Sequence, residues 1–332
     1  MITIKKITGY FIKAIALILV AISINFLLVQ LMPGDPIVNI LGETEYFLLE
    51  TKYPELLEEA RAQYGLDGSI ATQYLRFLKN TLTFKFGTTY STGRSVMATV
   101  LVRMRWTLLL AFSSIVLSAV IGGGLGIIAG YKKGGRLDGI LTFIFLLLET
   151  IPANCLALLA LILFGFKLRW FPLSGMASGG VVGIARVFDT MYHMVLPVFV
   201  LSLFRTSSNF LMAKSFTSQI RDEEYVTTAL AKGLPRRRFF GKHILKSVLV
   251  PYVTLLCMQF GFIFSGSMLI EVVFSWRGMG TLIYSGVMAR DYPTVQLCFL
   301  VTSACVVFFH LIADILAWKL DPRIKDGMSS EI

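Results

Sequence analysis

The sequence predicts an all-α integral membrane protein with six transmembrane helices, and three observations carry that expectation. First, the 332 residues are 55% hydrophobic and only 15% charged, against about 25% charged in a soluble domain. Second, six runs approach or exceed the roughly 20 apolar residues needed to cross a bilayer: 14–32, 106–130, 140–166, 194–213, 247–270 and 295–318. Third, Lys and Arg are distributed unevenly between the loops. With the N-terminus cytoplasmic, the inside segments hold seventeen basic residues and the two short outside loops five, the bias that fixes orientation. An even number of spans then returns the C-terminus to the cytoplasmic side.

The net charge of +11 reads in this setting as cationic loops against the inner membrane face, not as a nucleic-acid footprint. The four cysteines (155, 257, 298, 305) lie in apolar runs without a close pair and read as small core residues. Three scattered histidines, at 193, 243 and 310, make no metal site.

Taken in order, the first run is too long for a secretory h-region, and Gln30–Asp35 is not a small-x-small cleavage site, so it reads as a retained helix. The loop 33–105 holds eight basic and eight acidic residues, and its length exempts it from the charge rule. Tyr53–Tyr64 has helical spacing at Leu56, Leu57 and Ala60, Gly65–Gly68 is a turn signal, and Tyr74, Leu75, Leu78 and Leu82 fall on one side of a second helix over 73–82. A small helical cap outside the membrane is the expectation.

The second run carries Ser118, Gly122, Gly126 and Gly130 at four-residue intervals, a small-residue stripe for close helix packing in lipid. The third contains Glu149-Thr-Ile-Pro152, and a proline there predicts a kink beside a carboxylate. Charges at this depth cost about 3 kcal/mol on insertion scales, so Glu149, Arg205 and Asp314 are expected to face protein or water. Glu149 and Arg205 are candidates for a hydrophilic translocation path, with helix-stapling charge pairs as the competing reading. Asp314 and Glu271 lie near helix ends and can reach the interface.

Residues 214–246 form a polar, basic insert with eight Lys and Arg. The stretch 215–232 reads as an amphipathic helix on Ile220, Val226, Ala229 and Leu230. Gly233 is placed to cap it, and Pro235 to open a second short helix bearing Phe239, Phe240, Ile244 and Leu245. A basic amphipathic pair of this kind can lie flat on anionic lipid or touch another protein.

Tyr225-Val-x-Thr-Ala-x-Ala-Lys-Gly-Leu234, with Arg237 and His243-x-Leu245 beyond it, resembles the cytoplasmic coupling loop of ABC-importer permeases, in the version of the dipeptide, oligopeptide and nickel family. Further blocks carry the resemblance along the whole chain: Pro33–Pro36, Tyr64–Asp67, Gln73-Tyr74, Phe86-Gly87, Ile151-Pro152, Glu271-x-Val-Phe-Ser-Trp-x-Gly-Met-Gly280, Arg290–Pro293 and Asp321–Arg323. Departures from the broader importer motif are Thr227 and Thr228 ahead of Ala229, with His243 and Lys246 later in the loop. Arg277, and Ala153-Asn154-Cys155, depart from the family's usual residues.

The resemblance implies a type I importer permease, the first of a pair. Its parts would be an N-terminal helix and extracytoplasmic loop over 1–95, a transmembrane domain over 96–320 containing the coupling loop, and a cytoplasmic tail over 321–332. It implies a peptide cargo, with nickel or a metal chelate as alternative. Its implied partners are a second homologous permease, two ATP-binding subunits, an extracytoplasmic binding protein and membrane lipid, and no nucleic acid. Tyr225, Val226, Thr228, Ala229, Ala231, Lys232, Gly233, His243 and Leu245 would couple to the ATPase, with Ala229 and Gly233 on one close-seating face. Glu271, Trp276 and Arg277 are the candidate outer gate. No phosphate-gripping glycine loop is present and no nucleophile–base constellation, so the chain is expected to be non-catalytic, with ATP and Mg on the partner subunits. An ion-gradient-driven transporter is the rival reading; such proteins usually show repeated helix sets, and the six runs show none.

Overall fold

A computed structural model of the chain describes residues 2–31, 34–233 and 235–320. Pro33, Leu234 and the tail 321–332, which carry parts of the motifs above, lie outside the described residues. The only β feature among the described residues is one isolated antiparallel bridge, Thr88 to Ser95; the regular elements are helices. Among the described residues five helices are long and apolar enough to span a membrane, or six when one bent pair counts as a span. The chain divides into two compact units, Met1–Trp106 with Gly278–Ala304 and Thr107–Arg277 with Cys305–Ile332.

The first unit opens with α1 (Ile2–Gln30). Four short helices follow: α2 (Pro36–Leu41), α3 (Glu43–Lys52), α4 (Pro54–Gln63) and α5 (Ile70–Leu82). Their starts are written locally. Pro36 and Pro54 occupy first helical turns, the Asp35 carboxylate accepts from the Ile37 amide at 3.0 Å, and the Ser69 hydroxyl accepts from the Thr72 amide at 3.3 Å. The expected helices over 53–64 and 73–82 are present, with α2 and α3 in addition. The buried face of α5 differs from the expected one. Tyr74 and Phe77 pack on Phe26 of α1, with ring centroids 5.3 and 5.7 Å apart, while Leu75 and Leu82 point outward. Two more aromatic rings and a hydroxyl bond outweigh two aliphatic side chains: the Ser23 and Tyr74 hydroxyls sit 2.7 Å apart.

Two ion pairs brace this cap, Arg61 with Asp35 and Arg76 with Asp67. The Arg76 hydrogen bond holds the Asp67 carboxyl below its ordinary range. Helices α15 (Met279–Met288) and α16 (Tyr292–Leu320) complete the unit up to residue 304. Val29, Tyr292 and Val295 form a buried cluster beside Tyr90, and burial pushes the Tyr90 phenol up. The Arg290 guanidinium lies where a side chain at Gly34 would stand, and Gly34 has φ +96.

The second unit begins at Thr107, within α6 (Val96–Ser118), which runs through a π turn, Ala119–Gly123, into α7 (Gly124–Tyr131). The small-residue stripe packs on α10 (Gly183–Arg221). A Cβ at Gly122 would stand 2.5 Å from the Thr206 carbonyl oxygen, and one at Gly130 would stand 2.6 Å from the Lys214 carbonyl oxygen. At Gly126 it would collide with the Phe210 carbonyl oxygen. The Tyr252 hydroxyl donates to the Ala119 carbonyl at 3.0 Å, where the π turn disturbs the helical ladder.

The third run is more than kinked. α8 (Arg136–Thr150) and the segment 153–167, which begins as α9 (Ala153–Ala160), meet at 95°. Ile151 and Pro152 both take extended ψ, 121° and 140°; the residue before proline is pushed out of the helical region and the proline lacks the donor. The fifth run likewise divides, into α13 (Lys246–Gly261) and α14 (Ile263–Val273) at Phe262. Cys298 is buried as expected, whereas Cys155 is exposed in this chain.

Candidate functional site

The polar insert folds as two helices, but its boundaries differ from the expectation. α10 continues to Arg221, the chain breaks at Asp222, and α11 spans Glu224–Ala231. The Lys133 ammonium donates to the Asp222 carboxylate at 2.7 Å and lowers its pKa, and Arg221 donates to the Tyr131 carbonyl at 3.0 Å. The single amphipathic helix expected over 215–232 is therefore two. These ties hold the break against the end of α7.

α11 seats its apolar side inward. Val226 is fully buried and Ala229 nearly so, in a cluster with Ile127, Ala213, Phe239, Ile244, Val248 and Tyr252. Leu245 packs at its edge. Gly233 follows with φ +70, its amide donating to the Leu230 carbonyl at 3.0 Å and nothing within 4 Å of a Cβ built on it. That is the left-handed closure glycine provides. Pro235 leads into α12 (Arg236–Phe239), and a π turn, Phe240–Leu245, joins it to α13. His243, half-buried, stacks on Phe239 with ring centroids 6.1 Å apart.

The outward side of the insert carries Tyr225, Thr228, Ala231, Lys232 and Gly233, all exposed. The Tyr225 and Ser247 hydroxyls are 3.1 Å apart, and the Thr228 hydroxyl donates to the Glu224 carbonyl at 2.9 Å. Ala229 and Gly233 do not share an exposed face: Ala229 is turned into the bundle because 3.6-residue periodicity aligns it with Val226, three residues back. Beside the base of α11 opens a depression of about 570 Å³ lined by Gln219, Asp222, Glu223, Glu224 and Tyr225.

Within the spans, Glu149 lies in the last turn of α8 just before the 95° break and accepts from the Ser208 hydroxyl at 2.7 Å. Arg205 lies one turn earlier on α10 and is half-buried. Its Nε is buried without a hydrogen-bond partner among the described residues. A Cβ at Gly266 on α14 would stand 2.7 Å from Arg205 Nη2. Sequence reasoning missed the neutral ladder beside them: Gln259 donates to Asn209 at 2.8 Å and Asn209 to Ser118 at 3.0 Å. Two amide side chains inside otherwise apolar runs were the available signal. Lys214 with Asp138, 2.6 Å apart, also ties α10 to α8.

Toward the other end of these helices, Glu271 does not reach an interface: it is fully buried. It accepts from Thr107 at 2.6 Å and from Ser267 at 3.2 Å. A buried carboxylate needs such donors to offset its lost hydration. Trp276 is also fully buried, its amide donating to the Glu271 carbonyl at 2.8 Å across a turn in which Ser275 has φ +52. Arg277 beside it is exposed. Among the described residues no group of three His, Cys, Asp or Glu side chains is arranged to hold a metal ion.

Residues 122–326 match the family model described as the inner membrane component of binding-protein-dependent transport systems. A Brucella suis protein named as a peptide permease is 33% identical over 90% of this chain and 92% of its own length. The oligopeptide transport system permease protein AppB of Bacillus subtilis is 29% identical, covering 93% and 95%. The di/tripeptide transport system permease protein DppB of Pseudomonas aeruginosa is 30% identical, covering 91% and 93%.

Proposed function

Since the chain belongs to the inner-membrane components of binding-protein-dependent transport systems and is a permease subunit of the peptide ABC-importer type, we propose that it forms half of a translocation pathway. A second, homologous permease supplies the other half, and two ATP-binding subunits drive it from the cytoplasm. An extracytoplasmic binding protein delivers the peptide. The chain is a multi-pass protein of the cytoplasmic membrane, with both termini on the cytoplasmic side in this reading.

One observation carries the coupling role. The insert around α11 is anchored by Val226, Ala229 and Ile244 in a core cluster shared with α7, α10 and α13, while Tyr225, Thr228, Ala231 and Lys232 stay exposed. A partner that grips the exposed side moves the buried side with it, and through it the ends of three membrane helices. Gly233 keeps the turn compact, and His243 and Leu245 hold the second arm. ATP and Mg, held by the partner subunits, supply the closing force; this chain's residues transmit it.

Glu149 and Arg205 line the path in this reading, and Glu271, Trp276 and Arg277 stand at its outer gate. The Glu271–Trp276 turn, closed by side-chain and backbone bonds, supports a rigid frame there, with Arg277 free to meet what arrives.

The test is an uptake assay in a strain lacking this gene, with labelled di- and oligopeptides and with nickel. Loss of peptide uptake, restored by the gene and abolished by disabling the partner ATPases, is expected. Uptake that persists without ATP hydrolysis and follows an ion gradient would overturn the proposal.

A further inference from the structure

Its own unit gives the Arg205 guanidinium no anion. Among the described residues no carboxylate lies within 4.0 Å of it, and Glu149, on the neighbouring α8, is engaged by Ser208 of α10 at 2.7 Å. Its Nε has no acceptor. Gly266 leaves the space that the guanidinium fills, for a Cβ there would stand 2.7 Å from Nη2. One turn further along α10, Asn209 bonds Gln259, whose Oε1 is buried and has no partner. A cation thus stands beside a strip of amide groups, one of them with spare hydrogen-bonding capacity, inside helices that are otherwise apolar.

An unanswered guanidinium at this depth costs about 3 kcal/mol on insertion scales, so its retention calls for an anion that arrives. Guanidinium presents a planar fork that matches a carboxylate in two parallel hydrogen bonds. Every free peptide carries that group at its C-terminus, whereas a hydrated metal cation would be repelled. Resting on the reading that Arg205 lines the path, we propose that Arg205 is the carboxylate-recognising station of the pathway, and that it receives the C-terminal carboxylate of the transported peptide while the neighbouring amides bond its backbone.

The experiment uses the assembled importer reconstituted in vesicles, with trialanine and trialanine C-terminal amide each supplied at saturating binding protein. The intact importer is expected to move the free acid faster. Arg205→Gln lowers free-acid uptake by about tenfold, as loss of a hydrogen bond to a charged group implies, and lowers uptake of the amide far less; Arg205→Lys keeps part of the preference. Equal losses for both peptides overturn the carboxylate assignment but leave Arg205 in the path. Unchanged uptake of both overturns the path placement as well. Failure of Arg205→Gln to copurify with the second permease, with Arg205→Lys assembled and showing no acid preference, assigns the guanidinium to a carboxylate of that subunit and overturns the proposal.

Discussion

Gly126 and Gly124 stand two residues apart on one helix and meet opposite surroundings. A Cβ on Gly126 runs into the Phe210 carbonyl and stands 2.9 Å from the Ala213 Cβ, while one on Gly124 meets nothing within 4 Å. Gly126→Ala should therefore destabilise the purified complex by about 1–3 kcal/mol, the range for overpacking, and lower its melting temperature. Gly124→Ala should leave that temperature unchanged or slightly raised, because alanine is the better helix former. Equal melting temperatures for the two variants would contradict the α7–α10 contact. Glu271 offers a second test. Thr107 donates to this fully buried carboxylate, and Thr107→Val should cost about 1–3 kcal/mol, the penalty of removing one partner from a buried polar group. Four-residue spacing of small side chains is visible in any sequence. That Glu271 is buried was not, since its donors lie at Thr107, 164 positions away, and at Ser267.

Helices and their joints carry the coupling argument. The α11 turn depends on Gly233 at φ +70, a conformation asparagine tolerates and valine does not. Gly233→Asn should retain most peptide uptake. Gly233→Val should leave the protein inserted and ATP hydrolysis running while uptake falls, measured side by side in the reconstituted complex; normal uptake by Gly233→Val would remove the coupling role. The Lys133–Asp222 tie has a defined pH window. The hydrogen bond from Lys133 lowers the folded-state pKa of Asp222, so its contribution is complete above the ordinary carboxyl value and fades as pH falls through the lowered one. Hydrogen exchange around residue 222, corrected for intrinsic rates, should be flat from pH 8 to 5 and rise only below about pH 4. Proline at 152 foretold a disturbance in the third run. Its size, 95°, depends on where α9 and α14 pack, which local propensity does not encode.

Across the molecule, the decisive question is which side of the membrane each part occupies. In a background freed of native thiols, including exposed Cys155, Lys232→Cys should react with an impermeant maleimide only in inside-out vesicles. Ile70→Cys, exposed at the start of α5, should react only in intact cells. Labelling at 232 from outside would invert the topology and end the coupling proposal.

The apolar run lengths and the glycine and proline punctuation already specify a helical membrane chain of five or six spans, with helices in the loop after the first span and a capped turn at Gly233. These are properties of consecutive residues, set by the solvent each run can tolerate and by backbone freedom at single positions. The inward turn of Ala229, the α5 face that meets Phe26, the burial of Glu271 and the lone guanidinium of Arg205 came from folding. Each depends on what a distant segment brings to within a few ångströms, and hydrogen bonding and packing at that range depend on the partner rather than on the neighbour in sequence.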